Sequence, residues 1–145
     1  MAPFAQVFRR RSKWTTNPSL ADNQALIRLS DIDDWGDLFL NNVRIASIQN
    51  PVMMDTGWID LTPLLKKGTN KIHFELSNSV YGGSGFNLQL EVGKRRYESG
   101  HAYNNACPCG DAKQPRKPVL QMDFEVTSDE AGLTVRCPDV APMTG

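Results

Sequence analysis

The stretch Lys71-Ile72-His73-Phe74-Glu75-Leu76-Ser77 sets apolar side chains at 72, 74 and 76 against polar ones at 73, 75 and 77. A backbone that sends successive side chains to opposite faces turns this period of two into one buried and one solvated face, so a β-strand is expected. The period recurs at Phe86, Leu88, Leu90 and Val92, and again at Leu120, Met122, Phe124 and Val126, where Gln121, Asp123 and Glu125 fall on the wet side. Leu133, Val135 and Cys137 make a shorter set. Upstream, residues 25–29 and then Asp37, Leu38, Phe39 and Leu40 have strand composition, with residues 43–48 returning after Asn41 and Asn42. A two-residue hairpin needs positive φ at both central positions, and asparagine tolerates that better than most residues. Many short strands with turn signals between them and almost no helical period predict an all-β fold, an antiparallel β-sandwich or jelly roll.

One short helical turn is expected in Asp60-Leu61-Thr62-Pro63-Leu64-Leu65-Lys66-Lys67-Gly68, with Thr62 as cap, Pro63 at the first position and Gly68 as the stop. The length of 145 residues suits one domain able to hold its own core. Residues 1–24 mix Phe4, Val7 and Phe8 with Arg9, Arg10, Arg11 and Lys13 before Asn17 and Pro18, and are expected to form an N-terminal arm or an edge strand. Residues 25–137 then hold the sandwich and residues 138–145 a C-terminal tail. Within the sandwich, residues 97–118 are rich in Gly, Pro, Asn, Cys and charge and show no period, so a long loop is expected there. Loops of that length inside compact domains are uncommon unless they carry function.

Two segments also look familiar. Asp33-Asp34-Trp35-Gly36-Asp37-Leu38-Phe39-Leu40-Asn41-Asn42 resembles the acidic pair, aromatic residue, strand and Asn-Gly hairpin of galactose-binding-domain-like jelly rolls. Trp58-Ile59-Asp60-Leu61-Thr62-Pro63-Leu64-Leu65 is similar to their Asp-to-Pro-Leu turn, and Lys67-Gly68-Thr69-Asn70-Lys71-Ile72 to the entry of their next strand. The likeness spans residues 25–92. Asn42 stands where that family usually has glycine, and the cysteine-containing segment after Tyr97 has no counterpart in it. The resemblance implies a non-catalytic binding fold, as in the sugar-binding domain of family-2 glycoside hydrolases and in binding domains of bacterial surface and mating-pair proteins. It favours an extracellular, cell-surface or virion location over a cytoplasmic one.

Sixteen basic residues balance sixteen acidic ones, so there is no overall field to draw the chain onto nucleic acid or an anionic membrane. Arg9, Arg10, Arg11 and Lys13, like Lys94, Arg95 and Arg96, read as local solvated surface, and the glycines at 82, 83 and 85 lack the lysine of a phosphate-binding loop. No window approaches the roughly 18 apolar residues of a membrane span, and the N-terminus has no signal-peptide pattern, so a soluble, unprocessed chain is expected.

Catalytic groups are sparse. His73 falls on the polar face of its strand, and His101 lies near Cys107 and Cys109 with nothing to orient it as the partner of a thiolate. Asp33 and Asp34 are adjacent, so on one strand they point to opposite faces and cannot flank a glycosidic bond. For zinc, Cys107-Pro-Cys109 with His101 and Cys137 offers soft ligands, but one intervening residue is tighter than the usual spacing. Free thiols, or a bridge from Cys137 to Cys107 or Cys109, suit these cysteines better. No acidic residues alternate as in a dedicated calcium loop. No catalytic residue, metal or cofactor is expected, and no enzyme.

Binding is the class that remains. Asp33, Asp34, Trp35, Tyr81 and Tyr103 are the candidate ligand- or partner-binding residues, because they fall in or beside expected loops and an aromatic face can stack on a sugar or anchor a protein contact. Asp33, Asp34 and Asn70 suit a structural role better, fixing loop shape through bonds to backbone amides. Trp58, just before Ile59 and Leu61, is expected in the core. The function expected is a non-catalytic module that recognises a carbohydrate or protein partner within a larger assembly. The alternative is a structural subunit of a surface or viral particle without sugar binding. In either case the N-terminal arm offers a route to a homo- or hetero-oligomer.

Overall fold

The computed structural model describes residues 8–16, 21–33, 35–49, 53–78, 84–103 and 117–142. Ten strands run in order: β1 (Phe8–Thr16), β2 (Ala25–Asp33), β3 (Trp35–Leu40), β4 (Val43–Gln49), β5 (Ile59–Asp60), β6 (Gly68–Asn78), β7 (Ser84–Val92), β8 (Arg95–Tyr103), β9 (Lys117–Asp129) and β10 (Gly132–Pro142). They form two five-stranded sheets, β1-β8-β7-β2-β5 and β10-β9-β6-β3-β4, in which every pairing is antiparallel. The all-β sandwich expected from the alternating segments is what the chain adopts.

The alternation fixes which side chains meet between the sheets. Ala25, Ile27, Leu29, Phe86, Leu88, Leu90 and Val92 line the inside of the first sheet, and Leu38, Leu40, Ile72, Phe74, Leu76, Leu120, Met122, Phe124 and Val126 that of the second. Two aromatic contacts bridge the layers, Phe74 to Phe86 with ring centroids 5.0 Å apart and Tyr97 edge-on to Phe124 at 5.2 Å. Burying each of these aliphatic or aromatic side chains contributes about 2 kcal/mol, which makes the interlayer the main source of stability.

Parity along β2 changes at one residue. Leu29 and Ile32 both point inward although they are three apart, because Asp31 takes a positive φ of 53° and the register with β7 shifts between Ser30 and Asp33. Such a bulge lets the chain bend out of the first sheet and into the second. Gly36 receives it there: a Cβ on that residue would stand 2.8 Å from Ile32 Cδ1 and 3.4 Å from Phe74 Cε1.

The hairpin at Asn41 and Asn42 forms as its residues require, with φ of 50° and 67°. The helical turn is a 3-10 turn, Thr62–Leu64, and its cap differs from expectation. Leu61 occupies the N-cap without a side-chain bond, while Thr62 Oγ1 accepts from the Ala25 amide at 3.0 Å and so ties the turn to β2. Gly68 opens β6 rather than stopping a helix.

Three expectations are corrected. The long loop does not begin at residue 97, because residues 97–103 belong to β8. Tyr97 is 2 % exposed and Ser99 fully buried, and a serine and a glycine on a strand erase the apolar alternation that would have marked it. The tail does not begin at residue 138, because β10 runs on to Pro142. A register shift between Arg136 and Asp139 accommodates Pro138, which has no amide to give to the ladder. Trp58 is not core but 41 % exposed: it precedes a two-residue strand whose inward position is taken by Ile59. Phe8–Thr16, read as arm or edge strand, pair along their whole length with β8.

Candidate binding site

The two ends of the sandwich are built differently. At one end three pairs of strands are joined by two-residue turns, Asn41-Asn42 between β3 and β4, Gly93-Lys94 between β7 and β8, and Glu130-Ala131 between β9 and β10, beside the longer links 17–24 and 61–67. Asn70, fully buried, holds this end together. Its Oδ1 accepts from the Lys66 amide at 2.9 Å and from Asn41 Nδ2 at 3.0 Å, and its Nδ2 donates to the carbonyls of Lys66, Gly68 and Val126. The segment entering β2 is gripped by two turns, the Gly93 amide donating to Gln24 O at 2.8 Å and the Leu133 amide to Asp22 O at 3.2 Å. A cleft of about 210 Å³ lies here, lined by Asp22, Val92, Lys94, Arg95, Leu133 and Val135.

The opposite end gathers the sequence-predicted residues at strand level. Asp33 closes β2 opposite Gly85, and Gly85 in turn pairs with Ala102 of β8. Trp35 opens β3 between Ser77 and Gln49. Tyr103 ends β8 between Ser84 and Phe8. With strands spaced by about 4.8 Å, the backbones of Asp33 and Ala102 stand ~10 Å apart, and Trp35 begins the facing sheet two residues after Asp33. Asp34 and Tyr81 lie outside the described residues, as do Cys107 and Cys109. Of the five candidates, Asp33, Trp35 and Tyr103 are therefore brought to one end.

On the outer face of the second sheet, His73 is clamped between carboxylates. Its Nδ1 lies 2.7 Å from Asp123 Oδ1 and its Nε2 2.9 Å from Glu75 Oε2, with the Phe39 ring centroid 5.7 Å away. Partial burial alone would lower its pKa, but hydrogen bonds to Asp123 and Glu75 outweigh that and raise it above the usual histidine value. With both ring nitrogens engaged, the group serves as a cross-strand tie. Beside it Arg136 pairs with Glu125 at 3.0 Å, and Arg44 approaches the buried Asp37 at 3.6 Å.

The outer face of the first sheet carries an arrangement that the sequence reading missed. Trp58 and Arg96 belong to elements three strand spacings apart, about 14 Å. Their side chains close that span, with the Arg96 guanidinium 5.9 Å from the centre of the Trp58 ring. Beneath them Glu91, on the outward side of β7, is only 8 % exposed. Arg28 forms a two-pronged pair with Asp55, its Nε donating at 3.0 Å, and Asp55 also accepts from the Gly57 amide at 2.8 Å. The bond from Arg28, then that from Gly57, holds the Asp55 carboxyl down at about 2. A signal for Trp58 was present: Trp58 and Asp60 alternate with Ile59 and Leu61, which sends the indole to the wet side once the pair 59 and 61 is taken as core.

Among the described residues no group of three or more His, Cys, Asp or Glu side chains is placed to hold a metal ion, and no helix is long and apolar enough to cross a membrane. Comparison with known proteins finds no family model and no curated protein that matches the chain.

Proposed function

We propose that this domain is a non-catalytic binding module that recognises a carbohydrate or protein partner through the end of the sandwich bearing Asp33, Trp35 and Tyr103, as one part of a larger assembly. The observation that carries this reading is the difference between the two ends. Three two-residue turns and the links 17–24 and 61–67 lie at one end, the second of these links tied by Asn70, while the other end gathers Asp33, Trp35 and Tyr103 with the strand ends flanking residues 50–58, 79–83 and the longest connection, 104–116. A rigid scaffold that sets its longest connection beside acidic and aromatic strand ends is a usual arrangement for recognition by loops. The resemblance to galactose-binding-domain-like jelly rolls supports the same reading.

The test is a glycan array and a partner pull-down run with wild type, with Asp33→Ala and Trp35→Ala at the proposed end, and with Lys94→Ala at the turn end. Binding that weakens in the first two variants and persists in the third is expected. Binding that tracks Lys94 instead would sink the proposed location.

A further inference from the structure

Four strands end the two sheets, and three of them are poorly suited to take a further strand. β5 is two residues long, β10 is interrupted by the register shift around Pro138, and β4 faces a shift at Leu38 and Phe39 and is bridged at Gln49 to Met53. β1 is different. Its nine residues pair with β8 in unbroken register from Phe8 to Thr16, without a proline or a glycine, and among the described residues β8 is its only strand partner. Alternate residues of β1 thus turn their backbone N–H and C=O groups away from the sheet, which makes a template for another chain.

Charge decides which chain fits this edge. The register sets Arg9, Arg11 and Lys13 on the outer face, level with Ala102, Gly100 and Glu98 of β8. Glu98 is the only carboxylate that β8 brings level with β1, and it already pairs with Arg96 at 3.1 Å. Pairing with a second copy of β1 about Arg11 would set Arg11 against Arg11 and Arg9 against Lys13, and like charges directly opposite are destabilising. A strand with acidic residues at alternate positions has the opposite fit. Alternate side chains of an extended chain repeat at about 6.8 Å, so its carboxylates would fall beside Arg9, Arg11 and Lys13 while its backbone continues the ladder. A nucleic acid or a sulfated glycan could use the charges but not the ladder. It would also meet Glu91 and Glu98 on the same face of a chain whose sixteen basic residues are balanced by sixteen acidic ones.

We propose that β1 is a docking edge for an extended acidic segment of a partner protein, which adds to the first sheet as one more strand and sets its carboxylates against Arg9, Arg11 and Lys13. This edge binds through the β1 backbone and its basic row, and does not depend on recognition at the loop-bearing end.

The test is fluorescence anisotropy of the folded chain with a labelled peptide of alternating glutamate and valine, at low and at physiological salt. Three further probes accompany it: the same peptide with lysine for glutamate, the acidic peptide N-methylated at alternate residues, and a sulfated polysaccharide. Saturable binding of the acidic peptide is expected, weaker as salt rises, with no binding of the lysine peptide. The N-methylated peptide keeps its charge but cannot join the ladder, and should bind about tenfold more weakly or less. Arg9→Glu combined with Arg11→Glu should weaken the acidic peptide by about tenfold or more and admit the lysine peptide, an exchange of preference that an unfolded variant cannot show. Lys66→Glu combined with Lys67→Glu, an equal change of net charge away from β1, should bind as wild type does, and so should Trp35→Ala. The proposal is overturned if wild type does not bind the acidic peptide, if the N-methylated peptide or the polysaccharide binds as tightly, or if the double reversal on β1 leaves the affinity unchanged. Loss in Trp35→Ala with the reversal without effect would move the peptide to the loop-bearing end and overturn the docking edge alone.

Discussion

Replacing Asn70 by alanine removes five hydrogen bonds at the turn end of the sandwich. Asn70 Oδ1 accepts from Lys66 N and Asn41 Nδ2 at 2.9 and 3.0 Å, and Nδ2 donates to Lys66 O at 2.8 Å and, longer, to Gly68 O and Val126 O at 3.2 and 3.3 Å. A net bond contributes about 1 kcal/mol, and the two long ones less. Val126 O is buried, whereas the Lys66 groups gain access to water once the amide is gone, so the expected loss is about 3 kcal/mol. For a domain of this size that corresponds to a fall in Tm of roughly 10 °C. Urea denaturation followed by circular dichroism measures it, with an unchanged m-value showing that the folded state is otherwise kept. Asn70→Asp sharpens the test. It preserves both acceptor contacts but turns a carboxylate oxygen toward three carbonyls, so at neutral pH it should cost at least as much as alanine. Asn41→Gly keeps the positive φ and loses only the side-chain bonds, and its double-mutant cycle with Asn70→Ala should show coupling of about 1 kcal/mol. A loss below about 1 kcal/mol for Asn70→Ala, or an Asp variant as stable as wild type, would refute the role assigned to this residue.

Gly36→Val should destabilise by about 1–3 kcal/mol in the same denaturation assay, because its Cβ would meet Ile32 Cδ1 at 2.8 Å inside a closed core; a neutral effect would mean the crossing from β2 to β3 is looser than described. His73 has a raised pKa in the fold, so the stability it contributes is fully present below its ordinary value of 6.5 and is lost as pH rises through the higher folded value. A fall in Tm over that window that disappears in His73→Gln is expected, and a profile unchanged by the substitution would contradict it. Asp55 shows the opposite sign: its carboxyl is lowered from 3.8 to about 2, so its contribution holds above 3.8 and is lost as pH falls toward 2. Asp55→Asn should flatten that part of the acid limb, and an acid limb identical to wild type would count against the Arg28 pairing.

How much of this was legible in the sequence depended on which residues fill the inward positions. β6, β7 and β9 announce themselves because Ile72, Phe74, Leu76, Phe86, Leu88, Leu90, Leu120, Met122 and Phe124 occupy every second place. β8 hides because, beyond Tyr97, its next buried position is Ser99, and a serine buried within a strand leaves no hydropathic trace. The last part of β10 hides behind Pro138, which reads as a stop unless the register shift that absorbs it is known. The Asn41-Asn42 turn was readable because positive φ restricts residue choice locally. The Trp58–Arg96 contact was not, since it joins elements three strands apart whose neighbourhood is set by sheet order and not by sequence distance. The gathering of Asp33, Trp35 and Tyr103 at one end follows from the same ladder register.

The claim that recognition takes place at the loop-bearing end is tested most directly by amide chemical-shift mapping of the labelled domain, titrated with the strongest ligand from the array or pull-down. Shifts concentrated at Asp33, Trp35, Gly85 and Ala102 are expected. Shifts centred on Asn41, Asn42, Gly93, Lys94, Glu130 and Ala131 would contradict it.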